Sequence, residues 1–122
     1  MTQRRKDAAR EQRILTEVVG DAHDEEERAM GWYYYLDDQL RFPFQARCIT
    51  HRAVSPLTKR EEVTVVGMSP ESESLREMFV EIRWQGRSLA VPLAQLKDTH
   101  GDTQTREAIE DWHYWIRMGY QF

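Results

Sequence analysis

Apolar and polar residues recur with two different periods along this chain, and the change falls at Pro43. Upstream, residues 3–19 contain no helix breaker and are rich in Arg, Glu, Gln and Ala. Ala9, Arg13, Leu15 and Val19 share one face only loosely, which predicts a mostly exposed helix, frayed at its start and ended by Gly20. A second helix begins after Asp21 or His23. Its acidic opening, Asp24 to Glu27, suits the positive end of a helix dipole, and Ala29, Tyr33, Leu36 and Leu40 lie four, three and four residues apart on one face. Phe42-Pro43-Phe44 stops it.

Beyond Pro43 the period is two. Phe44, Ala46 and Cys48 alternate with Gln45, Arg47 and Ile49, and a polar loop with Pro56 leads to a β-rich run at Val63 to Met68. After a second loop, Ser69 to Ser74, the residues Met78, Val80, Ile82 and Trp84 point one way and Glu81 and Arg83 the other. Gln85-Gly86 turns the chain into LAVPLAQL, whose Pro92 suits an edge strand or a strand end. Asp98 to Gly101 is a loop, and Asp102 or Thr103 caps a last helix with Ile109, Trp112, Ile116 and Tyr120 on one face, closed by Gly119. The expected fold is therefore α+β: four short antiparallel strands in a small bent sheet or SH3-like barrel, flanked by N-terminal and C-terminal helices. A flatter α+β sheet is the alternative.

At 122 residues with four Trp, five Tyr and four Phe, the chain suits one folded domain, 1–122, and not a disordered polymer. One cysteine, Cys48, cannot close an internal disulfide, no signal-like segment opens the chain, and no apolar run approaches the ~20 residues a membrane span needs. A cytoplasmic protein is the expectation. The formal charge of -4 hides an asymmetry. Residues 1–13, a basic N-terminal extension, hold five of the 17 bases and two of the 21 acids, leaving 12 bases and 19 acids, a charge of -7, on the body. Such a body repels nucleic acid and attracts cations.

Asp37 and Asp38 stand out because they fall in the last turn of a helix, where the dipole prefers a cation. A hard ion such as Ca2+, which takes roughly six to eight oxygen ligands, is one natural compensator. Arg41, three or four residues on, is another, in the ordinary helical manner. Glu107, Glu110 and Asp111 on the final helix form a second acidic group, with Glu107 and Asp111 one turn apart; taken alone they are better explained by the place of Glu107 near the helix start and by pairing of Glu110 with His113 or Arg117. The loop from Asp98 to Thr105 supplies further oxygens, Asp102 among them, but lacks the alternate acids, sixth-place glycine and twelfth-place glutamate of an EF-hand. Asp24 to Glu27 is a weaker candidate, since acids at a helix start need no ligand. Cys48 and His51 have no second pair for zinc. No nucleophile motif, phosphate loop or nucleotide fingerprint is present, so an enzyme is not expected.

Several long segments together resemble a known family: GWYYYLDDQLRFPFQARC from Gly31 to Cys48, Ser55-Pro56-Leu57, VTVVGM, LAVPLAQL and the C-terminal AIEDWHYWIRMGYQF. From about Glu26 to Phe122 the chain is similar to the small bacterial, cyanobacterial-type calcium-binding proteins that lack EF-hands. The resemblance implies reversible calcium binding by surface carboxylates, with buffering of cytosolic calcium as its use. It carries the family's acidic motifs onto Asp37, Asp38 and Asp111; Glu107, Glu110 and Asp102 join them by proximity and chemistry. The partner so implied is the calcium ion, with no nucleic acid and no membrane. The competing reading is an SH3-like protein-interaction module whose basic N-terminal arm touches an anionic partner.

Overall fold

The computed structural model describes residues 6–120 and 122. The basic extension before Lys6 lies outside the described residues. Helix α1, Ala8–Arg13, runs into a wide π-helical turn, Ile14–Val18, in which the Val19 amide donates to the Ile14 carbonyl. The residues this turn buries are Ile14 and Val18, while Leu15, expected on the apolar face, is 54% exposed. A π turn takes an extra residue per hydrogen bond, so a face drawn at ordinary helical spacing drifts across it. The described part of the basic segment is docked: the Arg10 and Arg13 side chains are only 20% and 24% exposed and meet Asp111 of the last helix.

Helix α2, Glu25–Gln39, is capped by Asp24, whose carboxylate accepts from the Glu27 amide. It buries Ala29, Trp32, Tyr35 and Leu36. Tyr33, expected at the centre of that face, is only partly buried. Strands β1, Phe44–Cys48, β2, Glu62–Met68, β3, Phe79–Trp84, β4, Arg87–Pro92, and β5, Leu96–Asp98, form one antiparallel sheet in the order β4-β3-β2-β1-β5. Phe44, Ala46 and Cys48 point inward as their alternation requires. Gln85 and Gly86 both have positive φ, 51° and 75°, and join β3 to β4, as a two-residue hairpin with right-handed twist demands. Pro92 ends an edge strand. The fifth strand was not legible because it is three residues long and follows a tight turn, Leu93–Gln95.

Helix α3, Thr103–Arg117, is capped by Asp102, which accepts from the Thr105 amide. It buries Ala108, Ile109, Trp112 and Trp115, whereas Ile116 is 38% exposed. Trp32 of α2 packs edge-on against Trp112, with ring centroids 5.0 Å apart, and tilts onto Trp115 at 5.5 Å, so the two helices are joined through large aromatic area. No helix among the described residues is long and apolar enough to cross a membrane.

Candidate metal centre

Helix α2 has acids at both ends, and the two ends differ in what answers them. At its start, Glu25, Glu26 and Glu27 lie in the first turn, where carboxylates are favoured by the dipole. At its finish no base occupies the last turn, and Asp37 and Asp38 are exposed. Among the described residues Asp38 accepts only from Nε2 of its neighbour Gln39, at 3.1 Å. Arg41 does not neutralise the pair. The helix ends at Leu40, whose backbone turns extended, and this carries Arg41 to the start of α3. There its amide donates to Thr105 Oγ1 at 3.0 Å, its Nε meets Asp102 Oδ2 at 2.9 Å and its Nη2 donates to Gln104 Oε1 at 3.3 Å.

Two consecutive tyrosines of α2 face the loop after β2. Tyr33 donates to the Ser69 carbonyl at 2.7 Å, and Tyr34 donates to Glu71 Oε1 at 2.6 Å. Burial first, and then the charges of Asp37, Glu71 and Glu81, hold the Tyr33 phenol above its ordinary value. One phenol thus feels carboxylates from α2, from the Glu71–Glu73 turn and from β3. Asp37, Asp38, Glu71 and Glu81 make no ion pair among the described residues. Neither Glu71 nor Glu81 is marked as a site residue by its local sequence. The available signal was the outward alternation of Glu81, but nothing local ties it to Asp37.

The C-terminal acids are each matched to an arginine. Asp111 is fully buried: Arg13 grips it with Nε at 3.0 Å and Nη2 at 2.7 Å, Arg10 Nε stands 3.3 Å away, and Tyr35 donates to its Oδ2 at 2.7 Å. Glu107 lies 3.8 Å from Arg13, and Glu110 lies 3.5 Å from Arg10. Asp102 caps α3 and pairs with Arg41; the hydrogen bond from the Thr105 amide is the first cause that lowers its carboxyl below the usual value. Asp98 accepts from the Gly101 amide at 2.6 Å and lies 3.6 Å from Arg106. Folding therefore brings the start of α3 beside Arg41, just past the Asp37-Asp38 turn, while Asp111 sits further along α3 against Tyr35. Cys48 is buried with its thiol toward the Thr50 carbonyl, and His51 is exposed, so these two form no zinc pair.

A second acidic feature lies at the start of α2. A hollow of about 400 Å³ is lined by Glu17, Asp21, Asp24, Glu26 and Glu27 with Val18 and Gly31 behind them. Asp24 and Glu27 are occupied as caps, with Glu27 accepting from the His23 amide at 2.6 Å. Glu17, Asp21 and Glu26 make no ion pair or side-chain hydrogen bond among the described residues. As the side chains stand, no three carboxylate, imidazole or thiol groups among the described residues converge on one point.

Residues 12–116 match the CcbP family model, described as calcium binding. Two solved structures are similar over 100% of this chain and of their own: the crystal structure of Anabaena CcbP, 42% identical with a TM-score of 0.88, and a calcium binding protein in the calcium-binding form, 41% identical with a TM-score of 0.87. No curated protein sequence matches.

Proposed function

Since the chain belongs to the CcbP family of calcium-binding proteins, we propose that its calcium is held at the carboxyl end of α2 by Asp37 and Asp38, together with Glu71 and Glu81. The observation that supports this is the contrast in neutralisation: among the described residues these four acids have no basic partner, whereas Asp102, Glu107, Glu110 and Asp111 each do. A cation there relieves two costs, the repulsion of adjacent carboxylates and their misfit with the negative helix end. The carboxylates supply several of the oxygens that calcium needs, at ~2.3 to 2.6 Å, and water completes the shell. On this reading Asp111, Glu107, Glu110 and Asp102 serve the fold through Arg10, Arg13 and Arg41. The exposure of Asp37 and Asp38 supports a buffering role, because an ion exchanges there without the core opening. The description of the family as calcium binding supports a binding role over a catalytic one. The free, buried thiol of Cys48 supports a reducing, cytoplasmic setting.

A second cation position is supported by the hollow at the start of α2, where Glu17, Asp21 and Glu26 come from three segments without ion-pair partners among the described residues. Its weakness is the positive dipole end beside it. Calorimetric titration of the metal-stripped protein with calcium separates the two. Asp37→Asn and Glu81→Gln are expected to weaken the tighter step at least tenfold, with Asp21→Asn affecting only a weaker step. If Asp21→Asn removes the tight step and Asp37→Asn leaves it intact, the hollow is the principal site.

A further inference from the structure

The loop that carries Glu71 toward α2 is fixed at its start and through its turn by backbone hydrogen bonds. Ser69 is fully buried, and its amide donates to the Phe79 carbonyl at 3.1 Å. The Glu73 and Ser74 amides close the turn on the carbonyls of Pro70 and Glu71, and the Ser74 hydroxyl accepts from the Phe79 amide. Tyr33 clasps the Ser69 carbonyl from the α2 side. Glu71 itself is exposed, and a free Glu side chain loses up to about 2 kcal/mol of rotamer entropy when an ion fixes it. Its one side-chain bond among the described residues is the 2.6 Å contact from the Tyr34 hydroxyl to Oε1. The Tyr34 ring is held in turn edge-on against Tyr33, with centroids 5.6 Å apart at 90°. A carboxylate that accepts one hydrogen bond on Oε1 retains Oε2 and further lone pairs for a metal.

We infer that Tyr34 is a positioning residue for calcium: in the ion-free protein its hydroxyl holds Glu71 against α2 one turn before Asp37, an inference that rests on the α2 site proposed above. The Tyr33 phenol there feels both carboxylates. Tyr34 does not touch the ion. It removes part of the ordering cost of Glu71 beforehand, in the way outer-shell hydrogen bonds to ligating carboxylates generally raise metal affinity.

The test is a double-mutant cycle of calcium affinity by calorimetry on the full chain: wild type, Tyr34→Phe, Glu71→Ala and both together. Tyr34→Phe keeps the ring and removes only the hydroxyl, and is expected to weaken calcium about tenfold with an unchanged melting temperature in chelator. In the Glu71→Ala background the same change is expected to have no further effect. Calcium should also perturb the tyrosine ultraviolet spectrum of the wild type, and this signal should be diminished in Tyr34→Phe. Wild-type affinity in Tyr34→Phe, or an equal loss in both backgrounds, overturns the inference. If Glu71→Ala binds like wild type while Asp37→Asn does not, the positioning role fails and the α2 site stands. If neither variant changes the affinity, the α2 site itself is wrong.

Discussion

Replacing Asp111 by Asn separates a structural carboxylate from a ligating one. The side chain is fully buried and receives two hydrogen bonds from Arg13 and one from Tyr35, with Arg10 Nε 3.3 Å away. Asn keeps the volume and an acceptor for Tyr35 but removes the charge that two guanidiniums share. Breaking one side of a buried ion pair costs about 3 to 5 kcal/mol. The lower end applies here, because Arg10 and Arg13 are one-fifth to one-quarter exposed and retain Glu110 at 3.5 Å and Glu107 at 3.8 Å. At ~2.1 cal/mol/K per residue, unfolding 122 residues carries ~0.26 kcal/mol/K, so ~3 kcal/mol lowers the melting temperature by ~12 °C. Thermal unfolding followed by circular dichroism in chelator measures this. Calorimetry below the transition then gives the calcium affinity, which is expected to stay within about twofold of wild type. An unchanged melting temperature together with lost calcium binding would refute the reasoning and make Asp111 a ligand.

Glu11 accepts from Tyr120 at 2.6 Å and from Tyr114 at 2.7 Å. The Tyr120 bond is the first cause that lowers the Glu11 carboxyl, and the same bond pushes the Tyr120 phenol up to about 12. The stability from Glu11 is complete above its unfolded value, ~4.3, and is lost as pH falls through the lower folded one; that from Tyr120 is complete below ~10 and is lost as pH rises through its folded value. Urea midpoints across pH should therefore fall less at both extremes in Tyr120→Phe than in wild type, and superposable profiles would count against the pair. Gly31→Ala should destabilise the protein despite the ~1 kcal/mol that a helical Gly→Ala change usually gains, because the new Cβ meets the Val18 carbonyl; a raised melting temperature contradicts this. Asp37→Asn should melt higher than wild type by ~2 °C in chelator, from about 0.5 kcal/mol of relieved dipole misfit, and gain less from added calcium. A lower melting point in chelator argues that Asp37 already has a stabilising partner.

The helices and four of the strands were legible because each has an apolar period that one face of the core enforces. Alternation at Phe44, Ala46 and Cys48, the Gln85-Gly86 turn, the Asp102 cap and Gly119 at φ 77° all follow from local chemistry. The errors fall where local spacing meets an irregular backbone or a second layer. The π turn moved the buried positions to Ile14 and Val18, and the demands of Trp32 drew Trp115 inward in place of Ile116.

For the site, spacing along the chain was a poor guide to charge. Asp37, Asp38 and Arg41 read as an i, i+4 neutralised set only if the helix continues, and its end at Leu40 sends Arg41 to Asp102 instead. Conversely, Glu107 and Asp111, which look like a free acidic face, meet Arg13 from about a hundred residues earlier. Which acids are paired is thus decided by where the arginines go: among the described residues six of them form ion pairs, and those of Arg10, Arg13 and Arg41 tie the candidate acids to distant segments. The same logic separates the candidate acids: arginines from distant segments answer Asp111, Glu107, Glu110 and Asp102, whereas the turn at Leu40 takes from Asp37 and Asp38 the guanidinium that would have competed with a cation, and among the described residues Glu17, Asp21 and Glu26 are left equally unpaired, so a calcium titration of variants at both ends of α2 has to decide between them.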